Sequence, residues 1–142
     1  MRFMMLLKAD KNTEAGVLPS RKDLEVMGKY NEELIKAGVL LDGAGLHPSS
    51  KGAKVTFPGG KPQVTDGPFA ETKELIAGYW MIQVKSREEA IEWAKRVPVD
   101  QMPHEGRVPE IELRQMFELS DFPDIPEEIV KMEESWPSNR GR

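Results

Sequence analysis

Cysteine is absent from this sequence and histidine is scarce, and both shortages exclude chemistry. Without cysteine the chain forms no disulfide, no thiolate metal site and no cysteine nucleophile, and it is compatible with any redox compartment. Its two histidines, His47 and His104, belong to no spacing typical of a zinc hydrolase. We therefore predict no metal and no cofactor.

Long apolar runs are missing as well. The apolar stretch from Phe3 to Leu7 is too short for the core of a signal peptide, and Lys8, Asp10 and Lys11 follow it directly. No segment approaches the roughly 18 apolar residues that a membrane span needs. We expect a cytoplasmic protein with no membrane partner.

The sequence also lacks a strong excess of either charge. With 20 Lys and Arg against 24 Asp and Glu, the formal charge is 20 − 24 = −4, which gives nucleic acid no general attraction to the fold. Gly43 and Gly45 form no phosphate loop, because no Gly-rich turn leads from a strand into a helix with a following Lys and Ser or Thr. The 142 residues fit one domain.

Apolar periodicity predicts the elements of that domain. Strands are expected over residues 2–8, 39–46 and 76–84, a hairpin over 54–65, and a last strand carrying Ile111, Leu113 and Phe117 on one face. Ser20 predicts the start of a helix over 21–37, and Ser86 with Glu89 predicts a second helix that ends near Pro98. A short helix over 126–136 precedes a polar tail. The first helix should bury five residues: Leu24, Met27, Tyr30, Leu34 and Ile35.

The order of these elements is an α+β βαββαβ core with an inserted hairpin. Two crossover helices cover one face of a four-stranded antiparallel sheet, yet the strands over residues 2–8 and 76–84 are apolar on both faces. Soluble monomers rarely leave such a patch in water. We therefore predict a homodimer in which two sheets pack against each other.

One motif is specific enough to indicate a family. The stretch from Thr65 to Glu74, which contains Asp66-Gly67-Pro68-Phe69, followed by Gly78-Tyr79, resembles the YCII-related proteins and in particular their DGPF-motif branch. The resemblance spans residues 1–119 and implies a ferredoxin-like fold and a dimeric α+β barrel. Residues 120–142 are interpreted as a C-terminal extension with a short helix.

The resemblance implies a limited set of functions. Members of this family are regarded as enzymes or ligand binders without an assigned reaction, and DGPF members are often encoded beside extracytoplasmic-function sigma factors. In the YCII branch the proposed site pairs an Asp of the corresponding turn with a His of the first helix. Asp66 matches that Asp, whereas the helix over 21–37 contains no histidine.

Several residues around the motif are candidates for a site. Asp66 is either the acceptor of an Asx turn or a general base or ligand anchor. His47, after the second strand, could replace the missing histidine as acid–base partner or be a plain loop residue, and His104 is a weaker candidate. Glu71 and Lys73 are solvated surface residues or ligand contacts, and Tyr79 is a core residue or a pocket donor.

These residues support two functions of different kinds. The first is a small-molecule binding protein or cofactor-independent enzyme with a pocket lined by Asp66, His47 and Tyr79. The alternative is a regulatory interaction module associated with a sigma factor, in which the turn is architectural. A purely structural dimer is the third interpretation.

Overall fold

The computed structural model describes residues 1–137 and contains six strands and four helices in that part of the chain. The strands are β1 (Arg2–Lys8), β2 (Leu40–Gly45), β3 (Ala53–Thr56), β4 (Gln63–Asp66), β5 (Ile76–Gln83) and β6 (Ile111–Gln115). The helices are α1 (Lys11–Glu14), α2 (Arg21–Lys36), α3 (Arg87–Lys95) and α4 (Glu127–Glu134). The predicted tail after residue 137 lies outside the described residues.

Four strands form the main sheet in the order β2-β5-β1-β6, and neighbouring strands run antiparallel. Strands β3 and β4 form a separate two-stranded sheet between β2 and β5 in sequence. With α2 and α3 as crossovers, this arrangement is the ferredoxin-like βαββαβ fold with an inserted hairpin. The predicted fold class is confirmed.

The ends of the long helices follow from capping. Ser20 accepts the Asp23 amide at 3.1 Å and Asp23 accepts the Ser20 amide at 2.9 Å, which satisfies two amides at the start of α2. Gly38, with φ of 73°, provides the left-handed residue that ends this helix. Ser86 caps α3 through the Glu89 amide, but Glu89 accepts from the Lys85 amide and not from Ser86. The predicted capping box at α3 is therefore only half formed.

The core lies between the two long helices and one face of the sheet. Met5, Leu34 and Ile82 are fully buried, and each contributes roughly 1.5–3 kcal/mol by leaving water. Tyr30 of α2 packs edge-on against Trp80 and Trp93 at centroid distances of 5.7 and 6.4 Å. Burial raises the pKa of Tyr30, so its hydroxyl stays protonated and donates to the Trp93 carbonyl at 2.7 Å. This side chain connects both helices to the sheet.

Two predicted core residues of α2 are exposed. Leu24 and Ile35 are 60% and 61% exposed, whereas Tyr30 and Leu34 are buried. Ile35 follows Leu34 directly and is therefore rotated by about 100° from the buried face. The sequence pattern predicted a wider apolar stripe than the sheet covers.

Two further predictions are wrong. The apolar periodicity predicts no element between residues 8 and 21, but Asp10 and Thr13 form a reciprocal capping box that starts the one-turn helix α1. The last strand was expected to include Phe117, but β6 ends at Gln115 and Phe117 is 74% exposed. The short C-terminal helix is confirmed as α4, two residues shorter at its C-terminal end than predicted.

The face of the main sheet that points away from the two long helices carries half-buried apolar side chains and several charged residues. Strand register places Met4 between Met81 and Arg114, and it places Leu6 between Tyr79 and Glu112. We call this surface the open face. Lys8 Nζ pairs with Glu112 Oε1 at 2.8 Å on it, and the hydrogen bond and charge of Lys8 hold the pKa of Glu112 below its usual 4.5.

The hairpin is held to the rest of the chain through the turn that follows Asp66. The Gly67 amide donates to the Gly52 carbonyl at 3.0 Å, and the Phe69 amide donates to Ser49 Oγ at 3.0 Å. Ser49 in turn donates its hydroxyl and its amide to the two carboxylate oxygens of Glu14 at 2.5 and 2.9 Å. The turn, the 3₁₀ turn at Ser49–Lys51 and helix α1 therefore form one hydrogen-bonded unit.

Gly67→Ala tests this close approach. A Cβ at Gly67 would lie 1.7 Å from the Ser49 carbonyl oxygen, a backbone atom held by its neighbours. We expect a loss of about 2–4 kcal/mol in the free energy of unfolding, measured by urea denaturation.

The matched control is Gly28→Ala on the exposed side of α2, where nothing lies within 4 Å of the added Cβ. This variant should gain about 0.5–1 kcal/mol, because alanine is the better helix former. Equal urea midpoints for Gly67→Ala and wild type would contradict the packing of this turn.

The Lys8–Glu112 pair predicts a pH dependence. Because the pKa of Glu112 is lower in the folded than in the unfolded chain, its stabilisation is present above pH 4.5 and is lost as the pH falls through the lowered value. Glu112→Gln should therefore melt below wild type at pH 7, and the difference should shrink toward pH 3 in thermal scans followed by circular dichroism.

The control for this prediction is Glu25→Gln, whose partner Arg21 is 94% exposed. Exposed pairs contribute little, so its melting temperature should follow wild type at both pH values. A difference between Glu112→Gln and wild type that is as large at pH 3 as at pH 7 would rule out the lowered pKa as its cause.

Candidate functional site

His47 and Asp66, the predicted acid–base residues, belong to two segments that meet beyond the end of β2. Asp66 ends β4, pairs in register with Ala53, and has an exposed side chain with no hydrogen bond in the described part of the chain. The Asx turn expected at this residue is therefore not formed. His47 is also exposed and lies two residues before Ser49, whose carbonyl oxygen touches Gly67. The fold brings the two segments together without a contact between the two side chains.

The polar turn after the motif is on the surface. Glu71 and Lys73 are exposed, and the 3₁₀ turn Thr72–Glu74 leads directly toward β5. Phe69 is half buried, and Lys54 Nζ lies 4.3 Å from the centroid of its ring. The motif thus positions its aromatic residue by a cation–π contact from the hairpin.

Tyr79 lies on the open face and makes the polar contact that defines this surface. Its hydroxyl donates to Asp42 Oδ2 at 3.3 Å, while Asp42 Oδ1 accepts the Gly43 amide at 2.8 Å. The negative charge of Asp42 is the main cause that raises the pKa of Tyr79 above its usual 10.0, with smaller effects from burial and the hydrogen bond. The phenol is therefore a hydrogen-bond donor at neutral pH and not a base.

Sequence reasoning missed Asp42. Its carboxylate interrupts an otherwise apolar or glycine-containing strand, and this is the only sequence signal it gives. Register decides its role: Asp42 pairs with Met81 and Ala44 pairs with Tyr79, so Asp42 and Tyr79 are diagonal neighbours on adjacent strands. A bulge between Leu40 and Asp42 shifts this register, and a bulge cannot be placed from residue types alone.

Apolar side chains surround the Asp42–Tyr79 pair on the side of the neighbouring strands. Leu6 lies opposite Tyr79 on β1, and Ala44 lies opposite it on β2. Leu46 donates its amide to the Ala77 carbonyl at 2.8 Å, so the open face extends to the residue that precedes His47. The open face therefore carries apolar side chains beside the Asp42–Tyr79 pair and extends toward the segment that contains His47.

A cavity of about 800 Å³ lies between the segment that follows β6 and the C-terminal end of α4. Arg2 forms its floor, with two hydrogen bonds to the Glu118 carboxylate at 2.8 and 3.0 Å. Phe117 and Phe122 stack in its wall at 5.1 Å. None of the residues predicted as site residues lines this cavity.

Residues 1–137 contain neither a metal-binding cluster nor a membrane-spanning helix. No group of three or more Asp, Glu or His side chains there is arranged to hold a metal ion. No helix in the same part of the chain is long and apolar enough to cross a membrane.

Comparison with known proteins supplies the family. The chain is 39% identical over 69 residues to an uncharacterised protein of Rhizobium meliloti (strain 1021), a match that covers 49% of this chain and 56% of that protein. The chain thus spans a little over half the length of this relative. The family model of the YCII-related domain matches residues 1–115, which include all six strands of the structure. The chain therefore belongs to the YCII-related family.

Proposed function

We propose that this YCII-related protein binds a small molecule on the open face, beside Asp42 and Tyr79, and that a second copy of the chain closes this face. The observation that carries the proposal is the Asp42–Tyr79 hydrogen bond beside apolar side chains. A few polar groups in an apolar setting are typical of ligand sites. The Asp66-Gly67-Pro68-Phe69 turn supports, as part of the same proposal, membership of the DGPF branch of the family.

The composition of the open face supports the homodimer. Met4, Leu6, Tyr79 and Met81 are only partly buried, although they occupy the two central strands. Both long helices bury their residues against the opposite face. A second copy, related by a twofold axis, would remove these apolar groups from water and would enclose the polar pair.

The chemistry of the polar pair favours binding over proton transfer by the tyrosine. Because its pKa is raised, Tyr79 keeps its proton, and the carboxylate of Asp42 retains acceptor capacity beyond its two hydrogen bonds. A ligand that offers a hydroxyl or amine donor fits this carboxylate. Within this proposal the polar end of the ligand contacts four exposed residues that follow β2, end β4 or precede β5: His47, Asp66, Glu71 and Lys73.

One observation favours the alternative of a regulatory module that acts with a sigma factor. Val55 and Val64 form a cross-strand pair that is 52% and 65% exposed, and Phe57 beside it is 65% exposed. Exposed apolar patches of this kind mark protein interaction sites. In this interpretation the turn at Asp66 presents the hairpin to a partner protein.

The proposed homodimer predicts the effect of Met4→Glu. The new carboxylate would be removed from water between two sheets, which costs about 3 kcal/mol, so the dimer dissociation constant should rise at least about 100-fold. Arg114 lies opposite residue 4 on β6, so the isolated chain tolerates the charge. Sedimentation equilibrium should give a dimer for wild type and a monomer for the variant, both with a cooperative thermal transition.

Leu24→Glu is the control, since Leu24 is exposed on α2 and away from the sheet. It should remain dimeric. A monomeric wild type would rule out the proposed dimer. A Leu24→Glu variant that dissociates while Met4→Glu does not would place the interface on another surface.

The proposed ligand site predicts a selective loss in thermal-shift screening. Compounds that raise the melting temperature of wild type should bind Asp42→Asn at least about tenfold more weakly, because a hydrogen bond to a charged group is worth about 1.5–3 kcal/mol. Tyr79→Phe should also weaken binding. Asp100→Asn, an exposed aspartate in the 3₁₀ turn Val99–Gln101, is the matched control.

Two outcomes would count against the proposal. If no compound stabilises wild type, the regulatory alternative becomes the stronger function. If hits stabilise Asp42→Asn and wild type equally, the ligand lies elsewhere.

A further inference from the structure

A second, smaller cavity lies at the C-terminal end of β1, on the face of the sheet that the helices cover. Its volume is about 70 Å³. The segment between α3 and β6 closes it and is bonded to the chain after β1: the Lys8 amide donates to the Glu110 carbonyl at 3.2 Å, and the Lys11 amide donates to the Glu105 carbonyl at 3.4 Å. The cavity is therefore built by two hydrogen-bonded segments.

The inner wall of this cavity is apolar. Leu7, Met27 and Val99 line it and also pack against the hydrophobic core, and Met102 adds a flexible thioether. Water takes about 30 Å³ per molecule, so the space is a little more than two waters and suits a short alkyl chain. A larger ring system does not fit.

Among the charged residues that line the cavity, one cation, Arg107, has only long polar contacts. Lys8 is already paired with Glu112 at 2.8 Å, and the Asp10 carboxylate accepts the Thr13 amide at 2.9 Å. Arg107 is only 19% exposed; its nearest carboxylate oxygen, on Glu110, is 3.9 Å away, and its hydrogen bond to the Ala9 carbonyl is long at 3.4 Å. A guanidinium carries five N–H donors. Arg107 thus retains donors for an anion.

His104 also lines the cavity. Its Nδ1 lies 3.3 Å from the Met102 carbonyl, which leaves Nε2 for a second contact. Arginine pairs with carboxylates through two parallel hydrogen bonds, which selects a planar carboxylate over a spherical ion.

We infer that this cavity binds a short-chain monocarboxylate, with the alkyl chain against Met27, Val99 and Met102 and the carboxylate on Arg107. The site is independent of the proposed site at Asp42 and Tyr79 and contains none of its residues. It suits an effector or a small acidic metabolite more than a bulky ligand.

Butyrate is the probe for this site, with butyramide as its uncharged isostere and inorganic phosphate as an anion without an alkyl chain. On the full-length wild-type chain, calorimetric titration should give a dissociation constant for butyrate of about 1 mM or tighter. Butyramide and phosphate should bind at least about tenfold more weakly. In NMR spectra butyrate should shift the amide signals of Val99, Met102 and Arg107.

The variant Arg107→Gln should weaken butyrate binding at least about tenfold, whereas Arg21→Gln, 94% exposed on α2, should leave it unchanged. Equal affinity for butyrate and butyramide on wild type would overturn the inference even if Arg107→Gln failed to fold. Phosphate binding as tight as butyrate, unchanged binding by folded Arg107→Gln, or NMR shifts confined to another surface would also overturn it.

Discussion

The coverage of the main sheet on one face only is the constraint on which the rest of this structure depends. Two crossover helices fit on one side of four antiparallel strands, and Tyr30 ties both to that side through Trp80, Trp93 and a hydrogen bond to the Trp93 carbonyl. Because side chains alternate along a strand, every residue buried under the helices implies a neighbour on the open face. Leu6 and Met81 are apolar neighbours of that kind. The open face is thus a direct consequence of building a doubly apolar strand into this topology.

The turn that carries the family resemblance has an architectural role that its residue types predict only in part. Gly67 is required because a backbone oxygen of Ser49 occupies the place of any side chain. The link from Phe69 through Ser49 to Glu14 joins three parts of the chain that are far apart in sequence. Asp66 is left as an exposed carboxylate at the end of this unit, so its chemistry is separable from the fold of the turn.

The polar groups of the molecule divide by how completely the fold satisfies them. Arg2 and Lys8 are paired at 2.8 Å with Glu118 and Glu112, and they link the central strand β1 to β6 and to the segment that follows it. Asp42 and Tyr79 form a hydrogen bond with each other and keep capacity for further hydrogen bonds. Arg107 is partly buried, has only long polar contacts, and borders a cavity with an apolar inner wall. Binding chemistry is therefore expected where geometry leaves donors or acceptors incomplete.

The sequence by itself determined the order of the main elements, the confirmed ferredoxin-like fold and the inserted hairpin, because strand alternation, caps and Gly-Pro turns are local signals. It also determined the absence of cysteine chemistry. Tertiary structure alone decided that Leu24, Ile35 and Phe117 are exposed, since burial depends on how far the neighbouring layer extends.

The candidate site divides in the same way. Tyr79 is a candidate from the sequence, whereas its contact with Asp42 depends on a bulge that shifts strand register. The cavity lined by Met27, Val99 and Arg107 likewise forms only when the segment between α3 and β6 folds onto the end of β1. These residues are distant in sequence. Local patterns determine elements, whereas sites are made by pairing and packing across the chain.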